Sequence, residues 1–185
     1  MLYFVRHGST NWNQNYDTNG IRDPKMQGKS DIPLNENGIQ QAKDTAATLE
    51  GIKFDKIYCS PLTRAKQTCA IINKDNQDVI YDARIMERDF GEYESHVKSS
   101  FDFARFWNDL VYDTYEKAET VHEMKKRVYE FLDDILASDD ENILVVAHGG
   151  VGMLMYGYFH GIPEDGDYLR YLLPNGQATK FNTKK

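Results

Sequence analysis

The sequence predicts an α/β fold, a three-layer α/β/α sandwich with a mostly parallel central sheet and a small helical cap insertion. Short apolar runs alternate with helical patterns along the chain, which is typical of a parallel sheet covered by helices. Residues 143–147 form a continuous apolar run between polar residues, as expected for a central strand buried on both faces. The stretch 88–119 mixes aromatic and acidic residues, its second half has a helical pattern, and we assign it to the cap.

The first half of the chain contains clear boundary signals. A strand at 2–6 leads into a polar loop from 8 to about 33, which is long for a compact domain and is expected to be functional or mobile. Asn35 is typical of an N-cap, and the helix that it opens is predicted to run through Leu49. The elements predicted next are a strand at 57–59, a helix that Pro61 opens and that ends near Asn73, and a strand at 79–81.

The second half of the chain predicts two long helices and a final hairpin. The first helix spans 120–136, and the second begins at Gly149-Gly150 and runs to about Phe159. An Asn175-Gly176 pair between two strand-like segments predicts a β-hairpin at the end of the chain. One apolar stripe on the first helix is expected to face the core, and it consists of Val121, Met124, Val128, Phe131, Leu132 and Ile135.

Length, composition and charge limit the possible partners. A chain of 185 residues, 41% of them hydrophobic, is expected to form one domain, 1–185, with a buried core. Its net charge of −7 argues against nucleic acid and anionic membranes as partners. No apolar run is long enough to cross a bilayer, and no secretory signal is visible. Cys59 and Cys69 are interpreted as reduced, buried thiols, so we expect a cytoplasmic protein, of undetermined oligomeric state.

Three of the predicted strands end in residues that can bind a phosphate group. These ends carry Arg6-His7-Gly8, the segment from Ser60 to Arg64, and His148-Gly149-Gly150. Ligands of open parallel sheets bind beyond the carboxyl ends of the strands, so two histidines and two arginines should converge on one rim. Arg6 and Arg64 can each fork onto phosphate oxygens, which indicates a site for a phosphoryl group.

Phosphoryl transfer gives each of the remaining groups a task. A neutral His7 with one free ring nitrogen can attack phosphorus in line. A protonated His148 and backbone N–H groups near Gly149 would add positive charge around the phosphoryl oxygens. Glu87 is the candidate for the acid that protonates the leaving oxygen, since it follows an apolar segment and precedes a loop that contains glycine.

Five ordered sequence blocks resemble the histidine phosphatase superfamily, also called phosphoglycerate mutase-like. The resemblance covers nearly the whole chain, and five blocks in order are far more specific than one short motif. The first block is Arg6-His7-Gly8-Ser9-Thr10, followed by Asn11-Trp12-Asn13. The second block comprises Gln27-Gly28, Asp31, Pro33-Leu34 and Gly38 through Gln41-Ala42. The other three are Ser60 through Thr68, then Glu87-Arg88-Asp89-Phe90-Gly91, and finally Val145 through Gly150.

The resemblance implies a role for each residue of these blocks. His7 would be the phosphorylated residue, with Glu87 as the proton donor. The groups around the phosphoryl group would be Arg6, Arg64 and His148, and the substrate-side residues would be Asn13, Gln27, Gly28, Gly149 and Arg88. Ser60 would support His7, and it is also expected among the substrate-binding residues. The resemblance implies a small phosphate ester as substrate, with no metal ion and no organic cofactor.

The chain departs from the family pattern at three places. The 14–26 loop is longer than is usual, Ser95 stands where a glycine is common, and Ala118-Glu119-Thr120 replaces Gly-Glu-Ser. The first two lie around the predicted pocket entrance, so they concern the choice of substrate and not the chemistry. Whether the 14–26 loop closes over the site stays open at this point.

The cap composition favours a phosphatase over a mutase. A mutase needs extra basic groups to hold a doubly phosphorylated intermediate, but 88–119 has more acids than bases and lacks the paired arginines of mutases. Our hypothesis is hydrolysis of a monoester whose remaining part is partly apolar or aromatic. Phosphoglycerate mutase-type transfer and a non-catalytic phosphate-binding regulatory protein are the alternatives. A metal site of His7, His148 and Glu87 is disfavoured, because the two arginines would repel the cation.

Overall fold

A five-stranded sheet forms the centre of the protein. In the computed structural model, which describes residues 1–112 and 117–183, the strands lie in the order β3-β2-β4-β1-β5. The first four are parallel to one another, and β5 pairs antiparallel with β1 at one edge. This confirms the predicted mostly parallel sheet. The strands are β1 (Leu2–Arg6), β2 (Lys56–Cys59), β3 (Val79–Tyr81), β4 (Ile143–Ala147) and β5 (Ala178–Phe181).

Helices cover both faces of this sheet, which gives the three predicted layers. The α-helices are α1 (Glu36–Thr48), α2 (Thr63–Ile72), α3 (Phe103–Phe106), α4 (Val121–Leu136) and α5 (Gly149–His160). Side chains from α1 and α2 form one hydrophobic cluster with one face of the sheet. Side chains from α4 and α5 form a second cluster with the opposite face.

The central strand β4 shows why both faces are covered. All five of its residues are buried, and they alternate between the two hydrophobic clusters. Leu144 and Val146 pack towards α1 and α2, whereas Ile143, Val145 and Ala147 pack towards α4 and α5. Successive strand residues point to opposite faces, so a continuous apolar run is required wherever both faces are buried.

Capping residues start the long helices where the sequence predicts. The Asn35 side chain accepts a hydrogen bond from Gly38 N at 2.9 Å and caps α1. At the start of α4, Thr120 and Glu123 form a reciprocal capping box. Six residues of α4 are buried, and they are the six that form the predicted stripe. Helix α2 begins two residues after Pro61, with Leu62 as its N-cap residue.

The predicted C-terminal hairpin is wrong. The segment before Asn175 is a short 3₁₀ helix, Tyr168–Tyr171, and not a strand. The Tyr168 side chain is fully buried in the cluster that contains α5, so this segment packs on a helix and has no strand partner. Only β5 follows the Asn175-Gly176 turn, and it pairs with β1. The turn was recognised correctly, but tertiary packing determined the conformation before it.

The cap contains less helix than predicted. Across 88–119, the described residues form two 3₁₀ turns, Gly91–Tyr93 and Lys98–Ser100, and the one-turn helix α3. The predicted helical second half is therefore wrong beyond Phe106, and its residues 113–116 lie outside the described part of the chain. Aromatic side chains of the cap pack on one another and on the core, for example Phe90 with Trp107 at a ring-centroid distance of 6.0 Å. Among the described residues, no helix is long and apolar enough to cross a membrane.

Candidate active site

The ends of β1, β2 and β4 meet at one rim of the sheet. His7 N donates to Ala147 O at 2.9 Å, and Ser60 N donates to Val146 O at 3.0 Å, so the ladders continue one residue past the strands. His148 follows β4 directly, and its ring lies 5.2 Å from the His7 ring between centroids. The structure therefore brings together the two histidines that the sequence predicts at this rim.

Hydrogen bonds give the two ring nitrogens of His7 different roles. Nδ1 lies 2.7 Å from Gly8 O, which only accepts, so Nδ1 carries the proton. Nε2 then carries no proton, and its lone pair accepts a hydrogen bond from Arg64 Nε at 3.2 Å. The backbone on both sides is also held, since Asn175 Nδ2 donates to His7 O at 2.9 Å. This is the tautomer that a histidine nucleophile requires.

Burial and positive charge keep both histidines neutral. Burial lowers the pKa of His7 well below its usual value, and the charges of Arg64 and Arg6 lower it further. The pKa of His148 is lowered by the same causes, burial first. The expectation of a protonated His148 is therefore wrong for the protein alone. A phosphate dianion placed beside His148 would raise its pKa again, because an opposite charge favours the protonated ring.

Ser60 supports His148 and not His7. Its hydroxyl lies 2.6 Å from His148 Nε2, and the residue is fully buried. The implied contact of Ser60 with His7 or with substrate is thus corrected by the structure. The reason is geometric: Ser60 follows β2, which pairs with β4, so its side chain lies beside the residue that follows β4.

The guanidinium groups of Arg64 and Arg6 differ in their hydrogen-bond partners. Arg64 is fully buried, and its two terminal nitrogens donate to Ser30 O at 2.9 Å and Gly28 O at 2.7 Å. Only its Nε faces His7, so the expected fork of Arg64 onto phosphate is wrong. Arg6 donates through Nη1 to Leu173 O at 2.7 Å, and its Nε has no partner among the described residues. Burial lowers the pKa of each arginine to about 10, which leaves both charged at neutral pH.

Glu87 lies at the N-terminus of α5. Its Oε2 accepts a hydrogen bond at 3.0 Å from Gly150 N, in the first turn of the helix. A Cβ at position 150 would lie 2.3 Å from Glu87 Oε1 and 2.4 Å from the Trp107 ring, so only glycine fits. The amide expected to bind phosphate near Gly149 is, at Gly150, already engaged by the carboxylate.

Arg127 is a positioning residue that the sequence did not reveal. From α4 it donates to Met86 O at 2.8 Å and to Glu87 O at 3.2 Å, and it pairs with the Glu119 carboxylate at 2.6 Å. These bonds hold the backbone of the acid-bearing segment. Arg127 appeared in the sequence only as one polar residue of an amphipathic helix, and no local pattern distinguished it.

Several buried donors around His7 have no acceptor among the described residues. Asn13 Oδ1 accepts from Thr10 N at 2.8 Å, and Gln27 Oε1 accepts from Thr10 Oγ1 at 2.7 Å. Their amide nitrogens, and Arg6 Nε, are buried without an acceptor. Buried polar groups are normally paired, so converging donors without acceptors indicate the place of an anion.

The profile of the histidine phosphatase superfamily (branch 1) matches residues 2–185 of the chain. The chain belongs to this superfamily. It is 34% identical over 163 residues to the protein named uncharacterized phosphatase PhoE of Bacillus subtilis, covering 86% of this chain and 78% of the relative. It is 30% identical over 164 residues to a 2,3-bisphosphoglycerate-dependent phosphoglycerate mutase of Azorhizobium caulinodans, covering 80% and 76%. The relatives of this chain therefore include both a protein named as a phosphatase and one named as a mutase.

A solved structure shows the same superfamily fold. The α-ribazole phosphatase of Shigella flexneri superposes with a TM-score of 0.80 at 24% identity, covering 96% of this chain and 87% of that chain. At this identity the likeness concerns the fold alone. It agrees with the mostly parallel sheet and the two helical layers described above.

The cavity beside His7 is lined by both polar and apolar side chains. Of the predicted site residues, those that line it are Arg6, His7, Asn13, Gln27, Glu87 and Gly149. The residues that the sequence did not single out for the site are Lys25, Lys98, Phe90, Phe103, Trp107, Met153, Leu169 and Leu172, together with Met26 of the long loop. The aromatic content of 88–119 was the signal that could have identified part of this wall.

Arg88 does not line this cavity. Its side chain is 1% exposed and donates to Glu119 O at 2.6 Å and to Phe106 O. The guanidinium also lies 5.2 Å from the centre of the Trp107 ring. The expected contact of Arg88 with substrate is therefore corrected: the residue packs under the cap aromatics. Gly28 does not line the cavity either, and it acts through its carbonyl on Arg64.

The long loop is joined to the cap by backbone hydrogen bonds. Met26 N donates to His96 O at 2.7 Å, Ser95 N donates to Met26 O at 3.0 Å, and Lys98 N donates to Pro24 O at 2.9 Å. Ser95 has a φ of +69°, a conformation that explains why glycine suits this position in the superfamily. We call this contact of residues 24–26 with 95–98 the loop–cap seam. It places Lys25 and Lys98 at the cavity.

The part of the chain that the structure describes contains no group of three or more side chains suited to hold a metal ion. His7, His148 and Glu87 are all described, and they do not form such a group. The alternative metal site therefore has no geometric support.

Proposed function

We propose that this protein hydrolyses small phosphate monoesters through a phosphohistidine on His7. The observation that carries the proposal is a set of buried donors without acceptors around a histidine whose Nε2 carries no proton. These donors are Arg6 Nε, Asn13 Nδ2 and Gln27 Nε2. Such donors stabilise the equatorial oxygens of a phosphoryl group in transfer.

The first half-reaction forms the phosphohistidine. Before the first turnover, the Glu87 carboxylate takes up a proton from solvent. The lone pair of His7 Nε2 then leaves its hydrogen bond with Arg64 Nε and attacks phosphorus. The bond from phosphorus to the ester oxygen breaks as Glu87 gives its proton to that oxygen. Arg6 Nε and His148 Nδ1, which are buried without a hydrogen-bond partner among the described residues, face the growing charge on the phosphoryl oxygens. Arg64 adds its positive charge from its place beside His7 Nε2. The alcohol then leaves, and Glu87 is left as a carboxylate.

The second half-reaction releases phosphate. Glu87 takes a proton from water, whose oxygen attacks phosphorus as the bond to His7 Nε2 breaks. The products are inorganic phosphate, a neutral His7 and a protonated Glu87, so the enzyme returns to its initial state. The same carboxyl group thus serves as acid and then as base.

The cavity wall supports a substrate with a partly apolar remainder. Phe90, Phe103 and Trp107 of the cap line the cavity, and so do the apolar side chains of Met153 and Leu172. Lys25 and Lys98 are the basic side chains that the loop–cap seam adds there. No pair of arginines from the described cap lines the cavity, and this favours hydrolysis over mutase-type transfer.

A labelling experiment combined with a substrate panel tests the proposal. Wild-type protein should hydrolyse 4-nitrophenyl phosphate and at least one small phosphate ester, and it should retain this activity in EDTA. It should carry acid-labile phosphate on His7 that is lost in His7→Ala and kept in the exposed-histidine control His96→Ala. Isomerisation of 3-phosphoglycerate faster than ester hydrolysis would favour the mutase. No labelling and no turnover with phosphate still bound would favour the regulatory protein.

A further inference from the structure

The carboxylate of Glu94 holds three consecutive backbone amides of the long loop. It accepts from Gly28 N at 3.2 Å, Lys29 N at 2.9 Å and Ser30 N at 3.4 Å. The Ser30 hydroxyl also donates to it at 2.6 Å, and Phe90 N donates at 3.4 Å. One cap carboxylate thus fixes the conformation of residues 28–30, and the proposed chemistry above gives it no task.

The carbonyl groups of the same segment hold Arg64. Gly28 O and Ser30 O accept from its two terminal nitrogens, at 2.7 Å and 2.9 Å. The remaining donor of the guanidinium, Nε, then points at His7 Nε2 from 3.2 Å. Residues 28–30 therefore lie between a carboxylate on their amide side and a guanidinium on their carbonyl side.

The close approach of these groups depends on glycine at position 28. A Cβ there would lie 2.3 Å from Glu94 Oε1 and 2.1 Å from Arg88 O, so no side chain can be accommodated. The charge of Glu94 also favours the cationic form of the buried Arg64, as do those of Glu87 and Asp31. Geometry and charge together link Glu94 to the nucleophile through Arg64.

We propose that Glu94 is a positioning residue for phosphoryl transfer, which acts on His7 through residues 28–30 and Arg64. This inference rests on the proposed phosphohistidine chemistry. Displacement of a reacting group lowers the rate of the chemical step more than the affinity for substrate, so the loss should appear in kcat. Glu94 does not line the cavity that would hold the rest of the substrate, so KM should change little.

The primary test compares Glu94→Gln with Glu92→Gln. Gln can accept with only one atom of its amide, whereas Glu92 is exposed on the same turn and provides the same change of charge. Glu94→Gln should lower kcat for 4-nitrophenyl phosphate by about 10- to 100-fold. Glu92→Gln should retain the wild-type kcat. Equal kcat in all three proteins, or a loss confined to KM, would overturn the proposal.

A double-mutant cycle distinguishes an effect of Glu94 through Arg64 from a non-specific disturbance of the structure around the site. The rate of phosphohistidine formation is measured in single turnovers for wild type, Glu94→Gln, Arg64→Ala and the double variant. If Glu94 acts through Arg64, its substitution should have almost no effect once Arg64 is absent. If the rate loss in the double variant equals the product of the losses in the two single variants, the inference is refuted. Ser30→Ala removes only the 2.6 Å bond and should give a smaller loss in the same direction, which keeps the test valid if Glu94→Gln folds poorly.

A measurement without turnover distinguishes the two proposals. The exchange rate of the Arg64 Nε–H can be followed by NMR in wild type, Glu94→Gln and Glu92→Gln. Faster exchange only in Glu94→Gln supports the link even if no ester is hydrolysed, in which case the proposed function alone fails. Unchanged exchange refutes the link while leaving the phosphatase proposal intact.

Discussion

At the scale of single residues, protonation state follows from burial. His7 and His148 lie beside two arginines at the carboxyl ends of neighbouring strands, and within the described part of the chain no carboxylate hydrogen-bonds to either ring. Both rings are therefore held neutral, which suits a nucleophile and leaves a second ring able to take a proton when an anion arrives. The pattern of strand ends identified the two residues, but their burial could only be measured in the fold.

Lys98 is the residue whose charge should influence substrate choice. Its Nζ lies 4.1 Å from the centre of the Phe103 ring, at the cavity. Burial lowers the pKa of Lys98 to about 8, and Arg6 contributes to this shift. Lys98 should therefore attract a second negative group on the substrate below about pH 8 and lose this attraction as pH rises.

Substitution of Lys98 tests this charge effect. Lys98→Gln should raise KM by about tenfold, which corresponds to about 1.4 kcal/mol, for esters that also carry a carboxylate. It should have little effect on uncharged alkyl phosphates. In wild type the KM of the charged esters should rise above pH 8, and Lys98→Arg should abolish this rise because arginine stays protonated. Lys43→Gln, on the exposed face of α1, is the control; equal KM changes for both ester classes would contradict the prediction.

At the scale of elements, the start of α5 positions two residues of the site, His148 and Glu87. His148 is the N-cap residue, and the amide of Gly150 in the first turn holds the Glu87 carboxylate. The glycines at 149 and 150 were predicted as a helix start, and the structure adds the reason for the second of them. The space beside it is occupied by Glu87 and Trp107.

Gly150→Ala should displace the general acid. The added methyl group overlaps the Glu87 carboxyl, so hydrolysis of alkyl phosphates, which need a protonated leaving oxygen, should fall by about 100-fold. Hydrolysis of 4-nitrophenyl phosphate should fall much less, since its leaving group is already stable as an anion. Glu87→Gln should show the same dependence on the leaving group and controls for misfolding of the glycine variant. Equal losses for both ester types would contradict the assigned role of Glu87.

At the scale of the whole molecule, the buried histidines make folding depend on pH. Both have a folded pKa well below the usual 6.5 of the unfolded chain. Below pH 6.5 the two histidines therefore bind protons in the unfolded state but not in the folded state. The free energy of unfolding consequently falls as pH falls. Each histidine contributes up to about 1.4 kcal/mol per pH unit to this slope.

Urea unfolding between pH 5 and 7.5 measures this slope. His7→Asn should reduce it by up to one proton, because one group with a depressed pKa has been removed. His96→Asn, which changes an exposed ring of the cap, should leave the slope as in wild type. Identical slopes for wild type and His7→Asn would show that His7 is not held neutral by the fold.

The local pattern of the sequence determined the elements and the candidate residues for the proposed reaction. Apolar runs and capping residues gave β1, β2, β4, α1 and α4, because hydrophobic burial and helix ends impose short-range rules on the chain. The ordered strand ends gave His7, Arg6 and His148 at one rim, because parallel strands all end on the same side.

Only the tertiary structure decided what those residues contact. Ser60 binds His148, Arg88 packs under the cap, and Glu94 reaches Arg64 through residues 28–30. Each of these outcomes depends on groups that are distant in sequence, and burial, not composition, sets the protonation of the histidines. The segment before Asn175 shows the same limit, since packing against α5 overrode a local strand pattern. The amino-acid sequence thus determines which groups are available, and long-range packing determines their partners. Hydrophobic burial is non-directional, whereas a hydrogen bond forms only where the fold brings donor and acceptor to about 3 Å.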